Sequence, residues 1–127
     1  MKISDALTLR DLQREFHRLF PGLKLEFYTD AHDMGKGSSM NTHLNPALSI
    51  AAARTKHHEG DLEINADMTV NDLEQQFRKI YGLNAQVFRK SGNLWIQTTV
   101  TDTWTLDTQN KKGSHSEQHF NEKYNPL

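Results

Sequence analysis

Seven histidines and no cysteine raise one chemical question first, whether imidazoles alone could hold a metal. His115 and His119 stand four apart, so on a helix they would share one face and could grip a single ion. Their order, His-x-Glu-x-His, is not the metalloprotease HExxH. His57 and His58 precede Glu59 and Asp61, and His32, Asp33 and His43 lie in a stretch without periodicity, where nothing in the spacing requires convergence. Solvent-exposed histidine is the plainer reading of all of them. No nucleophile elbow and no telling pair of acids is present. Gly35-Lys36-Gly37-Ser38-Ser39 lacks the Walker spacing and reads as a loop. The sequence therefore names no catalytic residue and asks for no cofactor.

Binding chemistry is better represented. In a strand, alternate side chains face opposite sides. If Leu23, Leu25 and Phe27, with Leu83, Ala85 and Val87, face a core, then Tyr28 and Phe88 face away from it. Trp95, from a strand expected between Leu94 and about Thr101, can join them. Aromatics on an open sheet face stack bases in RNA-recognition domains, and Lys24, Arg89 and Lys90 would supply phosphate contacts. The alternative is that a helix or an oligomer interface covers this face and turns the aromatics into a second small core. Arg10, Arg14 and Arg18 form a stripe that suits an acidic partner, or simply a solvated helix face.

The elements that must carry these residues come from an internal repeat. Sliding the chain by 61 positions sets Ile3 on Ile64, Leu7 on Met68, Thr8 on Thr69, Asp11 on Asp72, Leu12 on Leu73 and Phe16 on Phe77. After one deletion near Pro21 the match resumes at Gly22 on Gly82, so residues 2–30 repeat as 63–90. In each copy apolar residues recur at helical spacing, opened by Thr8 with Asp11 or Thr69 with Asp72. Each is closed by Gly22 or Gly82 in a left-handed conformation, and an alternating strand follows. A short strand is expected ahead of each helix, around Ile3 and around Leu62 to Asn65. Two β-α-β units in series predict an α+β, ferredoxin-like two-layer sandwich spanning 1–127 as a single domain.

Additions decorate that plan. Residues 30–45 read as a loop, 46–56 as a short helix, and Arg89 to Asn93 as a hairpin turn. A short helix from Thr105 to Lys112 is expected to end at Gly113, leaving 114–127 as a loose polar tail.

The run Thr69-Val70-x-Asp72-Leu73-x3-Phe77-x3-Tyr81-Gly82-Leu83, continuing to Val87-Phe88-Arg89-Lys90-Ser91-Gly92 and Trp104-Thr105-Leu106, resembles an uncharacterised bacterial family of small proteins. These carry duplicated TVxxLxxxFxxxxGL-type β-α-β units. The resemblance covers most of the second copy and, more weakly, the first. It implies only that the arrangement recurs, since no activity comes with it.

Bulk composition narrows the function classes. Fifteen basic and 16 acidic residues leave a net charge of −1, which argues against indiscriminate nucleic-acid binding. Absence of cysteine suits a reducing compartment, and Asp5 interrupts any secretory apolar run, so the cytoplasm is expected, with no membrane partner. The leading expectation is a non-enzymatic module that engages a protein partner or a second copy of itself. The threonine-rich segment around Thr98, Thr99, Thr101 and Thr103 lacks charged edge protection and could pair strand to strand. Single-stranded nucleic acid through Tyr28, Phe88 and Trp95 is the alternative, and a histidine-liganded metal protein the third.

Overall fold

The structure is a computed structural model that describes residues 1, 3–29, 43–57 and 62–124. It is α+β. The elements run α1 (Leu9–Leu19), β1 (Leu23–Tyr28), α2 (Ile50–Ala53), α3 (Val70–Gln76) continuing into a π-helical turn (Phe77–Tyr81), β2 (Asn84–Ser91), β3 (Leu94–Gln97) and α4 (Leu106–Tyr124).

One local device starts each of α1, α2, α3 and α4. Ser4, Asn45, Asn65 and Thr101 each accept, through the main-chain carbonyl, the amide three residues on, at 3.0–3.3 Å. In the first three, the side-chain oxygen also takes the amide two residues on. A hydroxyl then caps the helix: Thr8 accepts from Asp11, Ser49 from Ala52, Thr69 from Asp72 and Thr105 from Thr108, at 3.0–3.1 Å. Thr8 and Thr69 are full capping boxes, with the acid returning to the cap amide.

The four segments pair two by two. Leu9 and Ile50 donate to Leu48 and Leu7, and Val70 and Leu106 to Trp104 and Met68; the next amides along, Arg10, Ala51, Asn71 and Asp107, find Pro46, Asp5, Asp102 and Ala66. Helix starts ordinarily leave their first amides without partners. Here the opposite segment takes two and the hydroxyl a third, so no N-terminus of these four helices is left as a ready anion site.

Among the described residues the sheet is three-stranded and antiparallel, in the order β1-β2-β3. Glu26 stands opposite Gln86, Leu25 opposite Val87 and Phe27 opposite Ala85. The repeat's second register, an offset of 60, sets the same six residues against one another as Leu25/Ala85, Glu26/Gln86 and Phe27/Val87. A local two-fold axis through the Glu26–Gln86 pair relates these two patterns. Leu9, Leu12, Phe16, Leu23, Leu25, Phe27, Ile50, Val70, Leu73, Phe77, Leu83, Val87 and Leu106 are buried in one core.

Several expectations need correction. No strand precedes either long helix among the described residues, so these residues do not build the four-stranded ferredoxin-like sheet. Ile3 and Ile64 are buried, but Ser4 and Asn65 turn the chain at once. What remains of the expected pairing is an exchange of hydrogen bonds between Met1 and Ile64, at 2.9 and 3.0 Å. Among the described residues only Gly82 and Gly92 have positive φ, at 64° and 62°. Gly22 is needed for another reason, because a Cβ there would strike the Asn110 carbonyl and lie 2.7 Å from the Ser114 amide nitrogen. Gly113 does not end α4. It sits inside the helix, where a Cβ would strike the Gly22 carbonyl. The helix thus runs on to Tyr124, and the tail expected to be loose from Ser114 is helical that far. The helix expected over 46–56 shrinks to Ile50–Ala53, since Asn45 to Leu48 form the turn, and β3 ends at Gln97 rather than near Thr101. Residues 30–42 of the expected loop lie outside the described residues. No helix among the described residues is long and apolar enough to cross a membrane.

Candidate functional site

Residues opposite one another in an antiparallel ladder share a face. The face turned from the core therefore carries Lys24 with Phe88, Glu26 with Gln86, Tyr28, and Lys90 with Trp95. The parity expectation for Tyr28, Phe88 and Trp95 agrees with this placement. Arg89 is different. It stands opposite Leu23 and Ile96, on the other face, with its guanidinium 5.6 Å from the Trp104 ring and Nη1 donating to Gln109 Oε1 at 2.9 Å. Adjacent residues in a strand cannot serve one face, so Arg89 and Lys90 act apart.

Tyr28 and Phe88 are buried, at 1% and 7% exposure, so neither ring is open to a base. The His43 ring lies 4.5 Å from that of Tyr28. Trp95 is half-buried, and the ammonium groups of Lys24 and Lys90 lie 5.3 and 4.9 Å from its ring, with His17 edge-on at 5.9 Å. Lys24 also sits 5.1 Å from the Phe88 ring and 3.7 Å from Glu26 Oε1. The cations expected to meet phosphates instead stack on the aromatics of their own chain.

The described histidines do not converge. His115 and His119 lie on α4 four residues apart and exposed, His57 is exposed, and His58 lies outside the described residues. No group of three or more His, Asp or Glu among the described residues could hold a metal. On α1, Arg14 and Arg18 line a cleft of ≈ 640 Å³ with Met1, Leu7, Asp11 and Glu15. Arg18 is engaged by Glu15, whose carboxyl is held below its usual pKa first by that hydrogen bond. Asp11 is likewise lowered, by the Thr8 amide first and the Thr8 hydroxyl second. These acids are helix furniture.

The unexpected feature is β3 and the segment after it. β3 is an edge strand, no described residue extends the sheet beyond it, and its sequence Leu94-Trp95-Ile96-Gln97 carries no charge. Leu94 is 65% exposed and Ile96 38%. Val100 is 92% exposed, although it opens the fourth turn-and-cap segment, and the residues that open the first and third, Ile3 and Ile64, are buried. Trp104, 38% exposed, completes the surface beside Arg89. The alternation Leu94/Ile96 was legible in the sequence; their exposure was not, because they lie on the core's side of the sheet, near the hairpin end, beyond the cluster that buries Leu25 and Val87.

No protein-family model matches the chain, and no significant match was found to a curated protein or to a solved structure.

Proposed function

We propose that the chain is a non-enzymatic, cytoplasmic binding or assembly module that docks a protein along β3, on a scaffold made by duplication. The observation that carries the docking reading is an uncharged sheet edge flanked by the exposed side chains of Leu94, Ile96, Val100 and Trp104. Such an edge is an open template for another strand, and natural proteins usually blunt one with charge, proline or a cover. Duplication is supported by the four turn-and-cap segments, 3–9 with 44–50 and 64–70 with 100–106, and by the local two-fold at Glu26–Gln86. Nucleic-acid stacking is the weaker reading, because Tyr28 and Phe88 are buried and Trp95 is already flanked by two lysines.

A photo-crosslinking side chain placed at Leu94, in the cell that makes the protein, tests the docking reading. Adducts should form from position 94 and be absent from Lys111, an exposed residue of α4. Equal labelling from both positions, or none from 94, would remove the reading.

A further inference from the structure

We infer that the occupant of β3 is a second copy of the chain, paired antiparallel about a two-fold axis at Trp95. The inference rests on the docking reading of β3. A two-residue turn, Gly92-Asn93, makes Ser91 and Leu94 a hydrogen-bonded pair, so Leu94 and Ile96 direct their backbone groups toward β2 and Trp95 directs its amide and carbonyl outward. The same alternation shows on the other side of β2, where the Lys90 amide donates to Gly22 of the turn before β1.

Placing Trp95 opposite its own copy lets the two outward amides and carbonyls exchange hydrogen bonds. That register sets Leu94 opposite the copy's Ile96, twice, on one face, and the two indoles opposite each other on the second face. A slide of two residues, the next register that keeps each side chain on its face, would set Trp95 opposite Gln97 and Leu94 opposite Thr98, leaving only Ile96 with an apolar partner. Charge favours the same occupant. Nothing in 94–97 is itself charged, so no like charges stand directly opposite one another in the paired strands. Lys90 of each copy would stand three strand spacings apart in the backbone, about 14 Å, with its ammonium held against its own chain's Trp95 ring. A two-fold contact of this kind closes, so it yields a six-stranded sheet and no fibre.

Sedimentation velocity from micromolar to near-millimolar concentration reads the outcome. The wild type should pass from one-chain to two-chain mass and stop there. Trp95→Pro deletes an outward amide, which an edge strand tolerates, together with the indole flanked by Lys24, Lys90 and His17, and should hold the one-chain mass with unchanged far-ultraviolet circular dichroism. Leu94→Lys should lose the two-chain species, and Leu94→Lys with Ile96→Glu should regain it, because opposite signs then meet across the axis. That rescue keeps the test decisive if Trp95→Pro misfolds. One-chain mass at every concentration overturns the inference, as does a dimer indifferent to all three variants. Adducts from position 94 of some mass other than two chains would overturn self-pairing while leaving the docking reading intact; no adducts would end both.

Discussion

The hydroxyl of Tyr28 is buried without a hydrogen-bond partner among the described residues, and burial, followed by the nearby charge of Glu26, pushes its pKa up to about 12. A buried, unpartnered hydroxyl costs stability, so Tyr28→Phe should leave the protein as stable or more so, by up to about 1 kcal/mol, in urea unfolding at neutral pH. The pH dependence has a definite sign. The folded pKa lies above the ordinary 10.0, so stability is intact below pH 10 and falls as the unfolded chain ionises first, between pH 10 and about 12. Tyr28→Phe should flatten that alkaline fall, and an unchanged alkaline profile would place the titration elsewhere. Parity made the shared face of Tyr28, Phe88 and Trp95 legible in the sequence, because strand period is local. Their burial was not legible, since it depends on what packs over them. The same parity separates Arg89 from Lys90, so this basic pair is not one patch.

Among elements, Arg54 shows how a short helix is tied down. It leaves α2 to donate to Asp5 at 2.8 Å, Lys56 O at 2.7 Å and Ile80 O at 3.0 Å, and it lies 4.4 Å from the Tyr81 ring. One guanidinium thereby joins the first turn segment, α2 and the π-helical turn after α3. Arg54→Ala should cost about 2–3 kcal/mol in chemical unfolding, and Arg54→Lys should recover less than half, because an ammonium cannot span three acceptors in a plane. Full recovery by lysine would mean that charge alone matters. The long helix starts were legible, for Thr8 with Asp11 and Thr69 with Asp72 are signals contained within four residues. The matching segments at 44–50 and 100–106 are not legible in the same way, because they recur at a different offset and carry Pro46, Ser49 and Trp104 where the others have different residues of like role. What decides such a segment is the carbonyl it lends its partner, and a carbonyl leaves no mark on sequence.

For the whole molecule, the expected β-α-β order placed a strand ahead of each of two helices, whereas among the described residues those strands are absent and β1 meets β2 antiparallel. The far half is then fastened by α4, whose Gly113 crosses Gly22 backbone to backbone while Asn110 Oδ1 accepts the Gly22 amide at 2.7 Å. Gly113→Ala tests that crossing. Alanine should gain about 1 kcal/mol of helix propensity, but a methyl pressed on a carbonyl oxygen and 3.0 Å from Arg89 Cγ should outweigh it, for a net loss of about 1–3 kcal/mol in urea unfolding. A gain would show that the helix can lift without cost. The crossing also governs how this sequence can drift. Most tight contacts permit second-site suppression, in which a larger side chain on one side is answered by a smaller one opposite. Gly22 and Gly113 have nothing left to give up, so neither position can be rescued by a change at the other. Any lineage that keeps α4 across the start of β1 must inherit both glycines together.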